Sequence, residues 1–262
     1  MDLFLLNVKQ EKKWHFYQIF LFLSIIIIIQ GCAPRSDKNK TLSPSADTEW
    51  VTIGIKLPEG IEALPLNVLY RSDICQRAQY NSAGEKYYIP GFNPKTIALK
   101  QQGSSDIYQT KIALNGGGSC QWQLSEVWME IQPVKSAHFA YKDYEIIPSG
   151  WMKFYFDNRN DWNENLIKKF GEIEIKRDIF PEIKTSNIFK ENTFTLFDGN
   201  NDSWKEFRVY NAISIFFFPI YHKNKTIRYE DSKVDNKNLI VIYPDGSIHE
   251  GIADYKKLKN SL

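Results

Sequence analysis

The strongest constraint on what this chain folds into is the alternation of apolar and polar residues at a period of two. Over residues 50–57, Val51, Ile53, Ile55 and Leu57 fall on one side and Thr52, Gly54 and Lys56 on the other. That is the pattern of a strand with one buried and one wet face. Residues 170–176 repeat it, with Ile173 and Ile175 inward and Glu172, Glu174 and Lys176 outward. Such one-faced strands belong to antiparallel sheets. Residues 192–197, 207–221 and 239–243 add three strands, and the run 213–218 is apolar on both faces, which marks a central strand.

Turn chemistry sets how these strands connect. Residues 107–114, the run Asn115-Gly116-Gly117-Gly118 and residues 120–131 read as a β-hairpin, because the glycines supply the positive φ that a tight connection needs. Along its second strand the apolar phase shifts from Cys120, Trp122 and Leu124 to Val127, Met129 and Ile131. A bulge near Ser125 or burial on both faces would account for the shift. The run Tyr243-Pro244-Asp245-Gly246-Ser247 predicts a second hairpin over residues 239–252. One helix is predicted over residues 161–170. Asp161 caps it, Glu164 completes a capping box, Trp162, Leu166, Ile167 and Phe170 form its stripe, and Gly171 ends it. The expectation is a mainly β fold: an antiparallel β-sandwich-like body with one short helix over residues 49–262. It forms either one continuous unit or two subdomains divided near residues 147–160.

Ahead of that body, residues 19–29 read IFLFLSIIIII, preceded by Lys9, Lys12 and Lys13. A spanning helix needs about 20 apolar residues, so this run has the length and flanks of a signal peptide. The segment Ile29-Gln30-Gly31-Cys32 resembles the lipobox of bacterial lipoproteins. The resemblance implies removal of residues 1–31, a thioether-linked diacylglycerol on Cys32 and acylation of the new amino terminus. Ala33 rather than Asp follows Cys32, which in a Gram-negative host implies sorting to the outer membrane. Three acyl chains at about 0.8 kcal/mol per buried CH₂ would hold the protein permanently. Residues 32–48, polar and without apolar periodicity, read as a flexible tether.

With Cys32 assigned to lipid, Cys75 and Cys120 remain in a chain read as exported to an oxidising compartment. They are expected to pair, the alternative being two buried thiols. Such a bridge stabilises by roughly 3–4 kcal/mol.

Charge and motifs narrow the function. The formal net charge is +2, with acids and bases interspersed, so nothing favours nucleic acid. His138, His222 and His249 are widely separated, and neither HExxH nor CxxC occurs, so no zinc site and no cofactor is expected. The glycine run lacks the Lys and helix of a phosphate loop. Asp198, Asn200 and Asp202 alternate like calcium ligands, but Ser203 and Val209 stand where an EF-hand needs Gly and Glu; residues 157–161 are similarly polar. Aromatics mostly serve a core, and Trp204, between Ser203 and Lys205, is the candidate partner contact. The expected function is binding without catalysis. The partner would be an envelope protein or, for an immunity lipoprotein, an incoming toxin. The alternatives are an envelope enzyme built on a carboxylate pair and a carbohydrate-binding module.

Overall fold

The computed structural model describes residues 38–137, 143–157, 166–188, 190–198, 205–232 and 239–260. The chain separates into two units, Met1–Lys40 and Thr41–Leu262. In the first, the described part is one turn of 3-10 helix over Lys38–Lys40. The signal segment 1–31, Cys32 and Trp204 lie outside the described residues.

The second unit is mainly β with one short helix. Its strands in chain order are β1 (Trp50–Lys56), β2 (Ile61–Ala63), β3 (Leu66–Tyr80), β4 (Lys86–Ile97), β5 (Lys100–Gln101), β6 (Ile107–Ala113), β7 (Asn115–Gly117) and β8 (Trp122–Pro133). There follow β9 (Glu145–Ile146), β10 (Ser149–Tyr155), β11 (Ile167–Ser186), β12 (Glu191–Phe197), β13 (Lys205–Tyr221), β14 (Ile227–Asp231), β15 (Leu239–Ile242), β16 (Ile248–Glu250) and the helix α1 (Tyr255–Asn260).

The alternation read in β1 is borne out, with Val51, Ile53 and Ile55 fully buried. Ile173 and Ile175 are likewise buried in β11. The run 213–218 lies in β13, the strand around which the fold is organised. On one side β13 pairs in parallel with β11 from Phe207 to Tyr221. On the other it meets β10 through Lys205–Arg208 and β1 through Ser214–Phe217, both in parallel. The sheet is therefore mixed. Two partners on one side of a single strand must diverge where they meet. One branch continues β10-β8-β3-β4 and the other β1-β6-β5. Their inner faces close on one core, in which Val51, Ile55 and Ile112 meet Val68, Met129 and Phe154. Each fully buried side chain of this kind contributes about 1.5–3 kcal/mol. Tyr70, 1% exposed, also ties the branches by donating its hydroxyl to the Ala113 carbonyl at 2.9 Å.

Where the branches part, the β11–β13 register slips between Phe170 and Glu172, with Gly171 at φ 65° and Asn211 at φ 48°. This corrects the predicted helix. Residues 167–170 are strand, paired with Phe207–Tyr210, and Phe170 stacks on Tyr210 at 5.0 Å. Long-range pairing overrides the local helical stripe, and Gly171, instead of ending a helix, lies opposite a bulge of β13 at residues 211–213. The remainder of that prediction, residues 161–165, lies outside the described residues.

The hairpin predicted around Gly116–Gly118 is also corrected. β6 pairs with β1 and β5, and only the short β7 pairs with β8. The glycines carry the chain from one branch to the other. They also let a preceding segment approach: a Cβ on Gly116 would come 2.9 Å from both Leu42 Cδ2 and Tyr70 Cε1. Ser43 N donates to Gly116 O at 2.8 Å, and Thr48 Oγ1 to Asn115 O at 3.0 Å. Residues 41–48, expected as the end of the tether, are thus docked on the body. The bulge at Ser125 is present: Leu69 faces Glu126 whereas Tyr70 faces Leu124.

β10 lies within the main sheet, and β11 runs on past Phe180 into a smaller sheet. There it pairs with β12 and β14, and β15 and β16 follow. The predicted hairpin at Tyr243–Ser247 is the β15–β16 connection, closed by Gly246 N to Tyr243 O at 2.9 Å with Gly246 at φ 80°. A second core of Phe180, Ile227, Val241, Tyr243, Ala253 and Leu258 lies under α1.

Candidate functional site

Cys75 and Cys120 form a disulfide, with their Cα atoms 5.3 Å apart. The bond fastens an irregular part of β3 to the start of β8. The β3–β4 register jumps from Ser72↔Gly91 to Arg77↔Ile89, so residues 73–76 loop out. The Ser72 hydroxyl holds the loop, donating to Cys120 O at 2.5 Å and accepting from Cys75 N at 2.9 Å. Gly91 runs beneath it, where any side chain would overlap the Cys75 carbonyl.

Beyond this knot β3 and β4 leave the sheet. β8 accompanies β3 only from Asn67 to Arg71. Past it, Arg77–Tyr80 and Lys86–Ile89 pair with each other alone among the described residues. The result is a projecting two-stranded ribbon. Its turn is rigid: Asn81 Oδ1 accepts from Ala83 N and Glu85 N at 3.0 and 2.9 Å, and Asn81 Nδ2 donates to Glu85 Oε2 at 2.8 Å.

Strand alternation sorts the ribbon's side chains. Ala78 faces Tyr88 and Tyr80 faces Lys86 on one side, whereas Arg77 faces Ile89 and Gln79 faces Tyr87 on the other. Tyr80 and Tyr88 are 67% and 58% exposed, and Ile74, Tyr87 and Phe92 are also exposed. Lys86 Nζ lies 5.0 Å from the Tyr88 ring and the Arg77 guanidinium 4.1 Å from Phe92. Exposed Tyr and Arg on a fixed scaffold are the residue types that dominate binding hot spots. β4 has no strand partner on its outer side among the described residues. Pro90 and Pro94 remove two N–H groups from β4, and the exposed side chains of the ribbon faces offer the recognition surface.

The polar side chains of the body with the chemistry of a site are engaged in structural contacts. Glu126, 6% exposed, meets Arg71 at 3.2 Å, Lys153 at 3.0 Å and Trp128 Nε1 at 3.2 Å. Burial alone would raise its pKa, but the bonds to Lys153, Trp128 and Arg71 prevail and hold it below the ordinary value. Lys153 also lies over Trp128 and Tyr155, and Tyr155 donates to Glu206 at 2.8 Å. Asp157 accepts from Ser125 at 2.5 Å. Asp198, the first of the alternating oxygen ligands, is buried against Arg177; residues 199–202 and 158–161 lie outside the described residues. His222 bonds Asp178 at 2.8 Å and stacks on Phe180. Lys259 of α1 reaches the same Asp178 at 3.8 Å. His249 sits on the exposed edge strand β16, and His138 lies outside the described residues. Among the described residues no group of three or more His, Cys, Asp or Glu is placed to hold a metal ion.

The ribbon was missed in the sequence because its aromatics break the period of two. The turn signal Asn81–Gly84 between Tyr80 and Tyr87-Tyr88 was the available clue. Comparison with known proteins gives no match: no family model, no curated protein and no solved structure matches this chain.

Proposed function

We propose that this is a lipid-anchored lipoprotein of the cell envelope that works by binding another protein, without catalysis, and that the β3–β4 ribbon is its contact surface. The reading of residues 1–31 as a cleaved signal peptide and of Cys32 as the acylated residue rests on the lipobox resemblance. The Cys75–Cys120 disulfide supports it, because such bonds persist in oxidising compartments. The observation that carries the binding reading is the ribbon itself: an exposed aromatic and cationic arm, covalently fixed at its root and pre-ordered at its turn. A rigid arm loses little conformational entropy on docking.

The test is affinity capture with the full-length protein in its native envelope, comparing the parent with Tyr80→Ser/Tyr88→Ser. Both side chains are exposed, so the fold should survive the change. Recovery of one specific protein by the parent and at least about tenfold less by the variant is the expected result. Equal recovery by both would remove the ribbon from the function, and capture of nothing specific would remove protein binding.

A further inference from the structure

Resting on that reading of Cys32 and of the ribbon, we infer that the ribbon's partner is a protein embedded in the same membrane, met at the height of the bilayer surface. Gly118 lacks a side chain where the Thr41 carbonyl passes, and a Cβ there would sit 2.6 Å from that oxygen. Two residues later Cys120 is bonded to Cys75, the root of the ribbon. The point at which the chain enters the body and the base of the aromatic arm therefore share one end of the fold.

Covalent geometry then limits the arm's position. Eight residues, 33–40, separate Cys32 from Thr41. Fully extended they reach about 30 Å, and as a flexible chain roughly 17 Å. From Cys75 to Tyr80 the ribbon adds about 17 Å at strand rise. With these lengths an acylated Cys32 would let Tyr80 and Tyr88 reach the membrane surface, whereas the smaller sheet lies at the far end of β11.

Protein fits this arm better than lipid. The apolar side chains sit on the faces of the ribbon, and its tip, Asn81-Ser82-Ala83-Gly84-Glu85, is polar and closed on itself by bonds between Asn81 and Glu85. A segment that enters a bilayer presents its apolar residues at the leading edge, with polar groups held back toward the interface. The partner would be gripped by the exposed side chains of the ribbon faces.

The experiment places a photo-cross-linking phenylalanine analogue at Tyr87 in the full-length lipoprotein, expressed in its own envelope, with His249 as a distant control. The expected result is an adduct from Tyr87, absent from His249, to a protein that stays with the membrane after an alkaline wash. That adduct should fall at least about tenfold when Tyr80→Ser/Tyr88→Ser is added. An adduct to a protein released by the wash would overturn the membrane location while leaving the ribbon as a protein-binding arm. Adducts to lipid alone would overturn the protein occupant. No adduct from an acylated protein would overturn both this inference and the reading beneath it.

Discussion

Gly91 passes so closely under the Cys75 carbonyl that no side chain fits between them, and this contact packs β4 against the looped part of β3 at the root of the ribbon. The looped residues 73–76, the disulfide and the Ser72 hydrogen bonds all converge on it.

The first prediction concerns that contact. Gly91→Ala is expected to destabilise by about 2–4 kcal/mol, because backbone on both sides must move. Gly103, in a turn with open space around it, is the control, and Gly103→Ala should cost no more than about 1 kcal/mol through its positive φ. Equilibrium urea unfolding measures both.

Removing the disulfide has a different signature. Cys75→Ala/Cys120→Ala frees a loop spanning 45 residues, and the loss is expected to be about 4 kcal/mol. Hydrogen exchange should show faster opening at residues 73–80 and 86–91, with β1 and β13 protected as before.

The Glu126 cluster predicts a pH dependence of one sign. Lys153→Met leaves a buried carboxylate short of its nearest cation, at an expected cost of about 3 kcal/mol near neutral pH. Because the parent's Glu126 pKa is held low, its contribution is present above the unfolded carboxylate range and disappears as pH falls through the folded value. The gap between parent and variant should therefore narrow on acidification.

Glu182 predicts the opposite trend. Burial pushes its carboxyl up to about 7, with Lys184 pulling partly the other way. The unfolded residue titrates near about 4.3, so between these values the folded state holds a proton that the unfolded state has released. Stability should fall as pH rises across that window and level off above it. Glu182→Gln is expected to abolish the fall, with urea midpoints compared at about pH 5 and about pH 8; an unchanged slope would refute the assignment.

How much of this was legible depended on how locally each element is specified. β1 and the middle of β11 bury one face, and period two records that directly in Val51, Ile53, Ile55, Ile173 and Ile175. The β15–β16 turn was readable because Pro244 and Gly246 sit where its backbone needs them. The parallel contact of β1 with β13 joins Thr52 to Ser214, and no local pattern encodes a pairing that distant. Ile167 and Phe170 satisfy a helical stripe as well as an exposed strand, and pairing with Phe207–Tyr210, with Phe170 stacked on Tyr210, decides between them. The ribbon eluded the pattern for a related reason: with both faces exposed, nothing enforces alternation on it.

The central claim is that the ribbon is occupied in the native envelope, and side-chain footprinting tests it most directly. Hydroxyl-radical oxidation of Tyr80, Tyr87 and Tyr88 would be compared between the full-length protein in intact envelopes and the same protein purified in detergent. The account predicts protection of these three residues by at least about tenfold in the envelope, with exposed Ile248 on β16 unchanged. Equal oxidation of the ribbon in both states would contradict it.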